Sequence, residues 1–268
     1  MNTVVIASTE ADARAAEAVE QHHAQMAGEL ALRTEALLAA ASARDEHRAA
    51  EALAALVQWA THELVPHALA EEQAMYPAAQ ARPEGRLLVE GMLGEHQVVT
   101  ALVEELSTAT DPVRASAAAR ALKVVFDAHL AKENELVLPL LVSAPDVSVA
   151  ELLGGMHELL GGHEHAEHEH AEAGHAQAGG HTCGCGEVDG PGYPELDARA
   201  VPHAIRHATI FGALDAVKPG GGMVLVAPHD PLPLLAQVER RYDGAFEVDY
   251  LERGPERWRL TFVRRTAA

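Results

Sequence analysis

The segments VPHALAEEQAMYP (65–77) and FDAHLAKENELVLP (126–139) decide the fold, because each places the pattern His-x3-Glu inside a helical apolar repeat. The two histidines of these patterns, His67 and His129, lie 62 residues apart. Residues four apart on a helix lie one above the other, with β-carbons roughly 5–6 Å apart. Each segment can therefore offer one imidazole and one carboxylate to the same metal ion, and two such helices could hold two ions.

Helical periodicity extends through most of the first 160 residues, which are rich in Ala, Leu and Glu. Breakers mark the helix limits: Asp111-Pro112 is a cap followed by proline at the first helical position, and Pro66 should kink the second helix. Four long helices with short loops predict an all-α up-down four-helix bundle, whose core can hold a metal site. The predicted helices lie near 11–42, 45–79, 83–108 and 112–142, with a short fifth near 147–160.

Six side chains are predicted to point into the bundle core, where ionised carboxylates are costly unless paired or bound to metal. On the first helix, His23 aligns with the apolar residues Val19 and Met26, whereas His22 is rotated away and is the alternative ligand. Imidazole together with carboxylate suits iron, manganese or zinc. The six predicted ligands are His23, His67, Glu71, His96, His129 and Glu133. Three further candidates, which could orient the ligands, are Glu72, Glu135 and Tyr76, although a surface position explains the two carboxylates equally well.

Four motifs resemble those of the haemerythrin-like, or HHE cation-binding, domain over residues 11–160. The resemblance implies two non-haem irons at the six inward residues, with Glu71 and Glu133 as bridges. Oxygen-carrying haemerythrins supply an additional histidine on the third helix, whereas the position four after His96 is Thr100 here. The resulting open coordination favours sensing, redox turnover or iron handling over reversible oxygen carriage. The motifs are EQHHAQM (20–26), VPHALAEEQAMYP (65–77), GEHQVVTALVEEL (94–106) and FDAHLAKENELVLP (126–139).

Residues 161–193 are predicted to be a flexible His-rich linker, because Gly, Ala, His and Glu without an apolar period have almost nothing to bury. Imidazole and thiolate could bind zinc, nickel or copper there as a second metal site. A passive solubilising spacer explains the same composition equally well. The candidate ligands are His163, His165, His168, His170, His175, His181, Cys183 and Cys185.

Residues 194–268 follow the order β-α-β-α-β-β, which predicts a small α/β two-layer sandwich with both helices on one face of the sheet. The first strand is predicted at LDARAV (196–201), and a Gly turn at 220–222 precedes the second. A small polar site is a further hypothesis, with caps and surface groups as the alternative. Its members would be His203, Arg206, His207, His229 and Asp230.

Four motifs of this second domain resemble a domain family of unknown function often fused to haemerythrin domains and, more distantly, the sulfur-carrier (TusA/SirA-like) fold. They are LDARAVPHAIRH (196–207), the Pro-Gly-Gly-Gly turn (219–222), APHDPLPLL (227–235) and GPERWRLTF (254–262). Sulfur carriers have a reactive cysteine where this chain has His203, so persulfide transfer by that mechanism is not expected. The resemblance still implies that a redox or sulfur-relay protein could be a partner of this domain.

The net charge of −20 lies within the first 193 residues, and such a surface repels phosphate backbones and anionic lipids. Neither nucleic acid nor membrane is therefore an expected partner. Without a leader-like segment, a cytoplasmic location is expected. The leading hypothesis is a di-iron protein that binds or senses O2, NO or peroxide, with the second domain as a partner or output module. The alternatives are a di-iron oxidoreductase or peroxidase, and a protein of iron or transition-metal storage.

Overall fold

The computed structural model describes residues 9–159, 192–201 and 203–266. The predicted linker ligands between His163 and Cys185 lie outside these residues. The prediction of a helical bundle followed by a small α/β domain is confirmed. The helices of the first part are α1 (Glu10–Ser42), α2 (Glu46–Trp59), α3 (Val65–Ala74), α4 (Tyr76–Gln80), α5 (Gly85–Thr108), α6 (Pro112–Lys132), α7 (Leu138–Val142) and α8 (Val149–Leu159).

The helix limits follow the local signals of the sequence. The Asp111 side chain accepts a hydrogen bond from the backbone N–H of Val113 at 2.8 Å, and Pro112 is the first residue of α6, as predicted. Thr9 caps α1 in the same way, by accepting from the N–H of Asp12. Within the described ranges, no helix has both the length and the apolar character of a membrane-spanning segment.

Two turns of π-helix interrupt the second and fourth long helical stretches, at Ala60–Leu64 and Glu133–Val137. Each is followed by a helix whose second residue is proline, Pro66 in α3 and Pro139 in α7. Proline cannot donate a backbone hydrogen bond to the preceding turn. The π-helical turn before Pro66 therefore lies where a kink was predicted. Turns of this kind are frequent at functional sites.

The C-terminal part consists of a four-stranded mixed sheet and two helices. Strand β1 pairs in parallel with β2, and β4 pairs antiparallel with both β2 and β3, giving the order β1-β2-β4-β3. The predicted first strand LDARAV is too long, since β1 ends at Asp197 and a 3-10 turn, Ala198–Ala200, follows. The elements are β1 (Glu195–Asp197), α9 (His203–Ala216), β2 (Gly222–Ala227), α10 (Leu232–Tyr242), β3 (Phe246–Glu252) and β4 (Trp258–Arg264).

Helix α9 packs along α1, so it lies between the sheet and the bundle. Ala31 of α1 belongs to the same apolar cluster as Leu225 and Phe262 of the sheet domain. The backbones of the two helices approach closely at Gly28 and Gly212. A β-carbon on Gly212 would lie 2.7 Å from the carbonyl carbon of Ala24, whereas real β-carbons essentially never come within 3.0 Å of another atom. Only glycine allows this approach of the two backbones.

The core of the bundle is divided into two apolar clusters. One contains Leu30, Leu64 and Leu122, among other residues. The other contains Val19 and Met92, among other residues. Along each of α1, α3, α5 and the α6–α7 stretch, predicted metal ligands lie between a residue of the first cluster and a residue of the second. A polar layer therefore crosses the bundle between two apolar layers.

Candidate metal centre

All six predicted ligands lie in this polar layer and are almost inaccessible to solvent. Two groups of donors converge there, each with atoms within 4.8 Å of one another. The first half-site consists of His23, His67 and Glu71, and the second consists of Glu71, His96 and His129. Glu71 is common to both half-sites.

The carboxylates of Glu71 and Glu133 each face both half-sites. Glu71 Oε1 lies 2.8 Å from His67 Nε2 and 3.2 Å from His23 Nε2. The other oxygen, Glu71 Oε2, lies 3.5 Å from His96 Nε2. Glu133 Oε2 lies 3.6 Å from both His23 Nε2 and His129 Nε2. This arrangement suits two carboxylates that bridge two ions.

Three of the four imidazoles have an acceptor behind them, on the side away from the centre. A carboxylate can only accept, so the Nδ1 that faces it carries the proton and the lone pair of Nε2 points inward. Metal-binding histidines commonly have such a partner. The pairs are His23 Nδ1 with Asn134 Oδ1 at 2.7 Å, His96 Nδ1 with Glu72 Oε1 at 2.8 Å, and His129 Nδ1 with Glu95 Oε2 at 3.1 Å.

These outer partners were only partly predicted. Glu72 forms a hydrogen bond with His96, as an orienting group would, whereas Glu135 is exposed at the surface. Glu95 and Asn134 were missed. Each outer partner is the chain neighbour of a ligand on its own helix and reaches an imidazole on another helix, a relation that helical periodicity does not reveal.

The electrostatics of the layer favour a bound cation. Burial would raise the pKa of Glu71, but His67, His23 and His96 hold it well below its ordinary value. Burial and the charge of Glu71 raise the pKa of Glu133 well above its ordinary value. Two carboxylates this close cannot both ionise without a neighbouring positive charge. A metal ion would supply that charge and replace the proton on Glu133.

The imidazoles differ in the proton that a metal ion would have to displace. Burial would lower the pKa of His96, but Glu71 and Glu72 raise it above its ordinary value, so a metal ion would displace a proton there. Burial lowers the pKa of His129 to about 4, which keeps this side chain neutral, as a ligand must be.

Both ring nitrogens of His67 and the oxygen Glu133 Oε2 are buried without a hydrogen-bond partner in the described part of the chain. His67 Nε2 lies 2.8 Å from Glu71 Oε1, but the angle between the ring and the carboxylate is not that of a hydrogen bond. Buried polar atoms are rarely left in this state, so these three atoms suit coordination.

The alternative ligand His22 is exposed, whereas His23 is buried in the layer. The expectation about Thr100 needs correction, because Thr100 is exposed and does not face the centre. The buried residue one turn from His96 is Met92, four positions before it rather than four after. An apolar side chain therefore lies where a further histidine of this helix would reach the second half-site.

The five residues of the predicted C-terminal site do not form a described cluster. The Arg206 guanidinium donates to the carbonyl of Val201 at 3.0 Å, and Asp230 accepts from the Tyr250 hydroxyl at 2.8 Å. His207 and His229 are exposed, and the side chain of His203 lies outside the described part of the structure. Arg206 and Asp230 thus have structural partners, and this site stays a prediction.

Comparison with known families agrees with this architecture. Residues 14–141 match the family described as Hemerythrin HHE cation binding domain. Residues 195–264 match the family described as Uncharacterized conserved protein (DUF2249). Neither the curated proteins nor the solved structures gave a match. The chain therefore carries a hemerythrin HHE cation-binding domain, whose buried His and Glu residues can bind metal, followed by a DUF2249 domain.

Proposed function

We propose that this chain is a non-haem di-iron protein that binds or senses O2, NO or peroxide through the bundle centre. The observation that carries the proposal is the pair of half-sites that share Glu71, with Glu133 facing both. Four imidazoles and two carboxylates form a nitrogen and oxygen donor set that suits iron. Each ion would bind two imidazoles and the two shared carboxylates. These are fewer than the six ligands of an octahedral ion, so each ion has positions left for a small ligand.

The DUF2249 domain is the proposed output or partner module. Its helix α9 contacts α1 at Gly28, five residues after the ligand His23. Five residues span about 7.5 Å of helix. A displacement of α1 on ligand binding would therefore reach the second domain through a rigid element.

The test uses the full-length chain loaded with ferrous iron without air, because α1 also packs against the second domain. We expect about two irons per chain and new near-ultraviolet charge-transfer bands when oxygen is admitted. Bands that reverse on deoxygenation would establish oxygen binding. Irreversible bleaching would favour redox sensing, and repeated turnover with peroxide and an electron donor would identify an oxidoreductase or peroxidase. Little iron, or zinc alone, would contradict the proposal and favour a structural or storage role.

A second proposal concerns the linker, which we assign to transition-metal binding separate from the iron centre. Removal of residues 161–185 should abolish the additional zinc or nickel binding of the full-length chain, because the candidate imidazoles and thiolates are removed with them. The iron content should not change, since all six bundle ligands precede the deletion. Metal analysis after equilibrium dialysis checks both expectations. Loss of iron on deletion would refute this division of roles.

A further inference from the structure

Tyr76 is the one tyrosine of the first 160 residues, and its hydroxyl lies inside the polar layer. It begins α4, directly after the helix that carries His67 and Glu71, and its side chain is buried, with 2% of its surface exposed. Its ring stacks on the imidazole of His96, with centroids 5.4 Å apart and planes at 16°. The packing therefore fixes the direction of the hydroxyl.

The Tyr76 oxygen contacts only one of the two half-sites among the interactions described. It lies 3.4 Å from His96 Nε2 and 3.3 Å from His129 Nε2, and it donates to Glu133 Oε1 at 2.7 Å. The two imidazole nitrogens are themselves 3.0 Å apart. Donors about 2.1 Å from one ion and at right angles to one another lie about 3 Å apart. The two nitrogens and the phenol oxygen thus have the mutual spacing of ligands on a single ion.

Hydrogen bonds cannot satisfy all three atoms of this triangle at once. The single phenol proton is directed at Glu133, so it is not available to either imidazole. Glu72 and Glu95 hold the Nδ1 protons of His96 and His129 on the far sides of the rings. When both Nε2 atoms are unprotonated, as metal ligands must be, their lone pairs and those of the phenol oxygen face one another, and a cation between them would stabilise that arrangement.

In this second half-site, helix α5 supplies only one of the predicted ligands, His96. Met92 is buried one turn from His96, on the inward face of the helix, and offers only a weak thioether donor. Tyr76 contacts both His96 and His129 and completes this half-site with an oxygen atom. An anionic oxygen donor beside two imidazoles suits iron, as in non-haem iron sites of two histidines and one carboxylate.

We propose that Tyr76 is a metal ligand, bound through its phenolate oxygen to the ion held by His96 and His129. This inference rests on the proposed iron centre and adds an anionic ligand to one of its two ions. On binding, the phenol O–H bond is replaced by an oxygen–metal bond, and the proton is released to the solvent. Metal ions displace protons from thiols and water in the same manner. The centre is then asymmetric, because one ion has five protein ligands, with Tyr76 beside two imidazoles and two shared carboxylates, whereas the other has four.

The experiment measures iron content, visible absorption and resonance Raman scattering of the full-length chain in the ferric state. Phenolate bound to ferric iron gives a visible charge-transfer band and enhanced tyrosine ring vibrations. We expect both in the wild type and neither in Tyr76→Phe, which should still bind iron through its imidazoles and carboxylates. Tyr242→Phe is the matched control, because that hydroxyl binds Asp215 in the second domain and should leave the spectrum unchanged.

A measurement on the unmodified chain does not depend on the folding of a variant. Ring-deuterated tyrosine should shift the enhanced vibrations if a phenolate is bound. Iron at about two per chain without a tyrosinate signal would overturn the ligand assignment and leave the proposed function standing. Absence of iron from the wild type would overturn both.

Discussion

Replacing both Glu71 and Glu133 by alanine is expected to reduce the iron content of the full-length chain from about two per chain to almost none. Each carboxylate faces imidazoles of both half-sites, so the double substitution removes the groups that connect them. The helices should persist, because the apolar clusters on either side of the polar layer are untouched. Iron analysis and far-ultraviolet circular dichroism measure the two effects.

The control is the double substitution Glu63→Ala and Glu135→Ala. Both residues are exposed, and they lie in the two π-helical turns, so the same helical stretches lose a carboxylate outside the centre. This variant should retain its iron. If the Glu71 and Glu133 variant kept both irons, the ligand assignment would be wrong; equal losses in the two variants would attribute the effect to helix stability instead.

Gly212→Ala should lower the free energy of unfolding by about 1–3 kcal/mol, although alanine is the better helix former. Its β-carbon would lie 2.7 Å from the carbonyl carbon of Ala24, so α9 must move away from α1. Chemical denaturation of the full-length chain measures the change. Iron content should be retained, because no predicted bundle ligand lies on α9.

Gly91→Ala provides the opposite expectation. Gly91 is also inside a helix, α5, but a β-carbon there meets nothing within 4 Å. Alanine at this position should raise the free energy of unfolding by about 0.5–1 kcal/mol. If Gly212→Ala were as stable as Gly91→Ala, the close contact between the two helices would not exist in solution.

The helices and the six inward residues could be predicted because both depend on a period that the sequence displays directly. His67 and Glu71 occupy one helical face, and the flanking apolar residues show that this face is buried. The same reasoning separated His23 from His22 correctly, as the one is buried and the other exposed. The fold class followed from the change of period after residue 193.

The expectation about Thr100 was wrong because four residues advance a helix by about 400°, or 40° beyond one turn. Met92 and Thr100 therefore lie on opposite sides of His96. The buried Val99 and Val103 lie on the side of Met92, which places the inward direction there. The apolar pattern contained this information, but spacing from His96 alone did not.

Other features could not be predicted, because they depend on distances between elements remote in sequence. Glu95 reaches His129, and Asn134 reaches His23, across 34 and 111 residues respectively. Helix α9 was expected on one face of a two-layer sandwich, and nothing in its sequence pattern indicated that α1 packs against it. Gly28 and Gly212 lie inside helices, and their need to be glycine follows only from the close contact between the two backbones.

The position of α1 also has a consequence for the synthesis of the chain. The bundle ligands are all present once Glu133 has been added, whereas α9 ends at Ala216. At about 5–20 residues per second, the ribosome needs roughly 4–17 s to make the intervening segment. During this interval the face of α1 that contains Gly28 and Ala31 is not yet packed against α9. The residues of the nearby metal centre are already present. On the proposed function, the centre can therefore bind its metal before the second domain exists, and the order of these two events follows the order of the residues in the chain.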